Sequence, residues 1–101
     1  MSIERNMVVG RVLRELRDAR GLKQVDLAAR LGRKQSFVSK VESGERELSL
    51  AEVYSYALAL ESDWRLIVDE VHVRLEDEGF VGLPLDDSAN APEEDGSPNE
   101  P

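Results

Sequence analysis

Residues 23–44, KQVDLAARLGRKQSFVSKVESG, contain two short segments with helical spacing of apolar residues, separated by a glycine. The residues that share a face are Leu27, Ala28 and Leu31 in the first segment, and Phe37 or Val38 together with Val41 in the second. Gly32 stands between the segments, where a sharp turn requires a positive φ that glycine adopts readily. Because Ala28 is small, the second helix can cross close over the first. The pattern predicts helices over about 24–31 and 35–42 that meet at a tight turn.

Helical patterns flank this pair of segments on both sides. An apolar stripe predicts a helix from about Met7, although Gly10 within it is expected to cost up to about 1 kcal/mol relative to alanine. A later helix is predicted to begin after Ser49, because Glu52 follows three residues on and completes a capping box. The predicted buried faces are Val8, Val9, Val12, Leu13 and Leu16 in the earlier helix, and Leu50, Val53, Tyr54, Ala57 and Leu60 in the later one.

The spacing within residues 23–44 resembles the helix-turn-helix of the phage-repressor-like XRE (Cro/CI-type) family. Counted from Gln24, the small residue is fifth, the glycine ninth, and two valines are fifteenth and eighteenth. The run GRVLRELRDARGLKQVDLA is also similar to the family's first helix and its join to the second. The resemblance covers about residues 9–61. It implies a mostly α fold with a compact four-helix DNA-binding domain, which we place at residues 7–61.

The resemblance implies that the second of the paired helices enters the DNA major groove. The N-terminal residues of such a helix contact base edges, and Gln35 there would bond adenine N6 and N7. Gln24, 11 residues earlier, would hold a backbone phosphate, as would cations around it. Phe37 has two open interpretations, contact with a thymine methyl group or a place in the core. The full predicted DNA-binding set is Lys23, Gln24, Arg33, Lys34, Gln35, Ser36, Phe37, Ser39, Lys40 and Arg46.

Two lysines depart from the family pattern. Lys23 and Lys34 stand where family members often carry Ser or Thr, and a lysine cannot accept the hydrogen bond of an N-cap side chain. Each missing cap is expected to cost about 1 kcal/mol. The lysines can instead reach a phosphate or a base, with simple solvation as the alternative for Lys23. The resemblance further implies that Arg17 pairs with Glu42 and locks the first helix to the third.

Residues 63–75, DWRLIVDEVHVRL, support two predictions. Sustained alternation and four Val or Ile residues favour a β-strand or hairpin, with a change of phase at Asp69–Glu70 typical of a bulge. The alternative is a fifth helix. A strand here would pair between two chains and a helix would also supply a dimer contact, so residues 62–85 are predicted to be a dimerisation extension. The predicted interface residues are Trp64, Leu66, Val68, Val71, Val73 and Leu75.

Charge is distributed unevenly along the chain. The net charge is −8, yet residues 1–60 carry 11 Lys/Arg and 8 Asp/Glu, a net of +3, and residues 61–101 carry 2 and 13, a net of −11. This asymmetry is compatible with a nucleic-acid partner for the cationic part. Residues 86–101 are acidic and contain no large apolar side chain, so we predict a disordered tail. It would lower DNA affinity, engage a partner, or only solubilise the chain.

Composition narrows the function further. The absence of cysteine excludes disulfides and thiolate metal sites. No apolar run approaches the roughly 20 residues that span a bilayer, so we expect a cytoplasmic protein without a membrane partner. No phosphate-loop, dinucleotide or nucleophile motif is present, and His72 is the only histidine, so neither enzyme activity nor a cofactor is predicted. We predict a homodimeric transcriptional repressor on a palindromic operator in double-stranded DNA. The alternatives are an antitoxin whose extension covers a toxin, and an interaction module that does not bind DNA.

Overall fold

The computed structural model describes residues 3–79, which form five α-helices and no β-strand. The mostly α class and the four helices predicted before residue 62 are confirmed. The expected disorder of residues 86–101 and the part of the extension at residues 80–85 lie outside the described residues. The helices are α1 (Ile3–Ala19), α2 (Gln24–Leu31), α3 (Gln35–Ser43), α4 (Leu50–Ala59) and α5 (Trp64–Asp77).

A single core lies between the five helices. α3 packs against both α1 and α2, while α5 packs against α1 and α4 on the other side. Ala28 is buried in this core, where its small side chain permits the close packing of α2 against α3. The buried side chains of the core are Val12, Leu13, Leu27, Ala28, Val38, Val41, Tyr56, Ala57, Leu60 and Ile67.

The buried face of α4 differs from the predicted one. Its capping box is present: Ser49 Oγ accepts from the Glu52 N–H at 3.1 Å. Leu50 and Tyr54, predicted to be buried, are 67% and 52% exposed. With Leu58 they recur at intervals of four residues, and they form an apolar stripe beside the one that packs into the core. Periodicity alone does not choose between two apolar stripes on one helix; packing against the neighbouring helices does.

The prediction of a β-strand over residues 63–75 is wrong, and the alternative of a fifth helix fits. Asp63 caps this helix, because its Oδ1 accepts from the Arg65 N–H at 2.9 Å. Ile67 is 2% exposed and belongs to the core. The β-branched residues that favoured a strand are tolerated in α5 because the apolar positions at helical spacing gain burial against α1 and α4.

The helical conformation changes which residues of the extension can meet a partner. Trp64 and Val71 pack against the core, and Leu75 is half-buried. Alternation had placed the six predicted interface residues on a strand, whereas a helix distributes them around its axis. Those exposed to solvent are Leu66 at 65%, Val68 at 41% and Val73 at 44%.

Ion pairs join α5 to α1. Arg74 donates from Nη2 to Glu15 Oε1 at 2.5 Å and from Nε to Glu70 Oε2 at 2.8 Å. The hydrogen bond from Arg74 holds the pKa of the Glu15 carboxyl below its usual value. Such pairs at the surface contribute little to stability, so α5 is held mainly by the packing of Trp64, Ile67 and Val71 with the core.

Candidate nucleic-acid interface

A tight turn at Gly32 sets the direction of α3 relative to α2. Gly32 has φ of 67°, the left-handed conformation that the sequence predicted. The following N–H, that of Arg33, donates to the Ala28 carbonyl at 3.0 Å and closes the end of α2. The chain then enters α3 within a few residues, with its first turn at the surface. The exposed residues at this end of α3 are Lys34, Gln35 and Ser36.

The starts of α2 and α3 have no side-chain cap. Lys23 and Lys34 occupy the N-cap positions with extended backbone, and neither side chain caps its helix. At α2 the Lys23 N–H instead donates to Asp26 Oδ2 at 2.9 Å. The first turn of α3 contains no acidic residue. The positive end of its dipole is therefore not offset by a side chain of this turn and favours an anion at this point.

Arg17 and Glu42 form an ion pair beneath this surface, and each residue is 8% exposed. Arg17 Nε donates to Glu42 Oε2 at 2.6 Å, and Nη2 donates to Oε1 at 3.1 Å. Arg17 Nη1 also donates to the Leu22 carbonyl at 2.7 Å. The hydrogen bond to Glu42 raises the pKa of the Arg17 guanidinium. The pair therefore ties α1, α3 and the loop before α2 together at one point.

The two glutamines are joined to each other and to this ion pair. Gln24 Nε2 donates to Glu42 Oε1 at 2.9 Å. Gln35 Nε2 donates to Gln24 Oε1 at 3.0 Å. A second N–H remains on the amide of Gln24, so these bonds are compatible with a phosphate contact by this residue.

A shallow cavity of about 710 Å³ opens beside the first turn of α3. Its floor includes Phe37, whose ring centroid lies 3.9 Å from the guanidinium carbon of Arg33 and 5.1 Å from that of Arg46. Its lining, as far as residues 3–79 describe it, contains four cationic and no acidic side chains. Such a surface attracts phosphate. The lining residues are Gly32, Arg33, Lys34, Ser36, Phe37, Lys40 and Arg46.

Arg46 has a partner that sequence reasoning missed. Its Nη1 and Nη2 donate to Glu52 Oε1 and Oε2 at 3.1 Å and 2.7 Å. Hydrogen bonds from Arg46 and from the Ser49 backbone lower the pKa of Glu52 to about 2. This pairing fixes the loop between α3 and α4 and offsets part of the charge that Arg46 would offer to a phosphate. Glu52 follows Arg46 by six residues, and the sequence already assigned it to the capping box at the start of α4. This proximity was the available signal for the pairing.

The structure brings most of the predicted site residues together. Six of them line the cavity, and the two glutamines adjoin each other. Lys23 and Ser39 are exposed but do not line the cavity. Phe37 is half-buried and packs against the core while facing the cavity, and its contact with a thymine methyl group stays a prediction.

Two other features are absent from residues 3–79. No cluster of side chains suited to hold a metal ion occurs in this range. None of the helices in it is long and apolar enough to cross a membrane.

Comparison with known proteins identifies the family. A family model described as helix-turn-helix, HTH_3, matches residues 13–67, which extend from α1 into α5. An XRE-family-like protein from Pseudomonas syringae pv. tomato str. DC3000 is 37% identical, over 70% of this chain and 87% of its own, with a TM-score of 0.63. The chain belongs to the XRE family of helix-turn-helix proteins. The resemblance noted in the sequence is thus confirmed, and this family and fold are those of DNA-binding transcriptional regulators.

Further structures of this fold belong to named regulators. The restriction-modification controller protein C.AhdI from Aeromonas hydrophila is 40% identical, over 61% of this chain and 94% of its own, with a TM-score of 0.59. The controller protein C.Esp1396I, solved as a tetramer with its natural 35 base-pair operator, is 21% identical, over 67% of this chain and 95% of its own, with a TM-score of 0.58. At that identity the likeness concerns the fold alone. No curated protein matches the XRE-family chain by sequence.

Proposed function

We propose that this XRE-family chain is a sequence-specific transcriptional regulator that binds a palindromic operator as a homodimer, with α3 in the major groove. The observation that carries the proposal is the position of Gln35. It is exposed on the first turn of α3, beside a cavity lined by Arg33, Lys34, Lys40 and Arg46. An exposed hydrogen-bonding side chain next to clustered cations is the arrangement that reads a base edge while the cations hold the backbone.

Base reading is assigned to Gln35. A glutamine amide offers an acceptor and a donor side by side, which matches adenine N6 and N7 in the major groove. Ser36 and Ser39 are exposed on α3 and would add hydrogen bonds to bases or sugar–phosphate.

Backbone binding is assigned to the cations around the cavity. Among the described residues, Arg33, Lys34 and Lys40 form no ion pair, whereas Arg46 is held by Glu52. We therefore assign the larger share of phosphate contacts to the first three. Lys23 lies at the start of α2 and is assigned the same role. These contacts set affinity and salt dependence without reading sequence.

The experiment is selection of bound sequences from random duplex DNA with the purified chain, followed by measurement of Gln35→Ala on the selected site. We expect a palindromic motif, and a loss of about 1–3 kcal/mol of binding free energy with relaxed preference at one base position per half-site. Lys40→Ala is the control, since it should weaken binding to all sequences alike. Absence of any enriched motif, or unchanged affinity and preference in Gln35→Ala, would contradict the proposal.

The relatives support regulation more than the competing interpretations. C.AhdI, 40% identical, is a restriction-modification controller, and C.Esp1396I shares the fold and was solved on its operator. Repressor action remains part of the proposal. No feature of residues 3–79 favours a toxin partner, and the cationic cavity argues against a module without DNA binding.

A further inference from the structure

Four polar side chains from three helices form one continuous series of hydrogen bonds, which we call the polar chain: Arg17, Glu42, Gln24 and Gln35. It begins at the ion pair, where Arg17 and Glu42 are each 8% exposed, and passes through the half-buried Gln24. It ends at Gln35, which is exposed on α3. Gln35 at the surface is thus linked to Arg17 in the interior by three successive hydrogen bonds of 2.6–3.0 Å.

The polar chain has a direction, which the carboxylate imposes. A carboxylate only accepts hydrogen bonds, and both oxygens of Glu42 accept from Arg17. Gln24 must therefore turn its Nε2 toward Glu42, as observed at 2.9 Å. Its Oε1 then faces outward.

The same reasoning fixes the next amide. Because Gln24 presents an oxygen, Gln35 must turn its Nε2 toward it, as observed at 3.0 Å. This leaves Gln35 with its Oε1 and one N–H for the DNA. The opposite orientation of Gln35 would place two N–H donors outward and no acceptor.

We propose that Arg17 and Glu42 act through Gln24 as positioning residues, and that they make Gln35 select adenine over guanine. This inference rests on the proposed function. Adenine presents a donor at N6 beside an acceptor at N7, which the observed orientation of Gln35 matches. Guanine presents two acceptors, O6 and N7, which only the reversed amide would match. The ion pair at the interior thereby sets the hydrogen-bonding pattern displayed at the surface.

The test compares operators with adenine or guanine at the base facing Gln35, using the full chain. We expect the parent to prefer adenine by about tenfold or more. Gln24→Leu interrupts the polar chain but leaves the bonds between Arg17 and Glu42 in place. It should bring the adenine-to-guanine ratio toward one. Glu42→Gln should do the same, because an amide at this position no longer dictates which atom of Gln24 faces it.

Two comparisons separate positioning from a merely structural role. Lys40→Ala should lower affinity for both operators by the same factor and keep their ratio, whereas Gln35→Ala should abolish the preference. Melting temperatures establish which variants are folded, and Gln24→Leu supplies the answer if Glu42→Gln is not. A folded Gln24→Leu chain that retains the parent's ratio overturns the inference, as does a parent that prefers guanine. Either result leaves the proposed function standing, whereas a parent that selects no motif overturns both.

Discussion

α1 and α3 approach each other closely at Gly10. A Cβ placed on it would lie 2.5 Å from the carbonyl oxygens of Val41 and Glu42, which belong to the backbone and cannot rotate away. The glycine therefore lets the last turn of α3 rest directly on α1, near the ion pair of Arg17 with Glu42. Helix propensity alone marks Gly10 as unfavourable in α1, whereas the close packing of α3 on α1 requires a glycine here.

Gly10→Ala is expected to destabilise the fold by about 1–3 kcal/mol, the usual cost of overpacking, reduced by up to about 1 kcal/mol of gained helix propensity. Urea unfolding of the variant and the parent measures the difference. Arg14→Ala, at an exposed position of the same helix, is the control and should change stability little. Helix propensity by itself predicts the opposite sign, so a more stable Gly10→Ala chain would contradict the close approach.

At this scale the sequence identified residue types better than contacts. It singled out Arg17, Glu42, Gln24 and Gln35, but it treated the pair and the glutamines as separate features. Gln35 and Glu42 are seven residues apart and so share a face of α3, which hints at their connection. The bond that joins Gln24 to Glu42 depends on how α2 packs on α3, and no spacing within either helix contains that information.

Individual helices differ in how far local sequence determines them. α2 was predicted at its observed bounds and α3 to within one residue, because a glycine and the apolar spacing mark their ends. For residues 63–75 the sequence favoured a strand over the alternative of a fifth helix, since the Val and Ile residues satisfy both alternation and helical spacing. The helix buries Ile67 in the core and packs Trp64 and Val71 against it, which is a tertiary effect that local spacing does not contain.

The stability of the fold is expected to depend measurably on pH through Glu52 in the first turn of α4. Glu52 has a pKa of about 2 in the folded chain against 4.5 for the free side chain, because it accepts from Arg46 and Ser49. A depressed folded pKa contributes stability that is present above about pH 4.5 and is lost as the pH falls toward 2.

The parent should therefore lose more stability than Glu52→Gln when the free energy of unfolding is followed from pH 6 downward. Comparing the two chains cancels the titration of the remaining acids, including Glu15. Glu47→Gln, a substitution in the same loop, is the control and should follow the parent. Parallel curves for the parent and Glu52→Gln would show that the Arg46–Glu52 pair does not persist in solution.

Within residues 3–79, several large apolar side chains are exposed, and a monomer would leave them in contact with water. On α5, Leu66 and Val73 lie seven residues apart on one face and are 65% and 44% exposed. A single α3 covers only a few base pairs, and a symmetric pair of chains reads two half-sites about one helical turn apart. We expect this face of α5 to contribute to the homodimer.

Truncation before α5 would also remove Ile67 from the core, so substitutions on the surface give a clearer test. The Leu66→Glu, Val73→Glu double variant should sediment as a monomer and bind the operator more weakly, with an unchanged melting transition at low concentration. His72→Glu, an exposed position of the same helix, is the control and should remain dimeric. A parent that is monomeric at high micromolar concentration would contradict the homodimer. If the double variant on α5 stays dimeric and a Leu58→Glu variant is monomeric, the contact lies on α4 instead.

The burial of Glu42 limits how this molecule's specificity can be transplanted. α3 carries at its C-terminal end a carboxylate that is satisfied by Arg17 of α1 and Gln24 of α2. Grafting residues 35–43 into a scaffold that lacks those two partners would leave a buried charge unpaired, at a cost of about 3–5 kcal/mol. Transfer of the proposed DNA-reading surface to another scaffold therefore requires parts of three helices. α3 alone does not carry the partners that its own buried carboxylate needs.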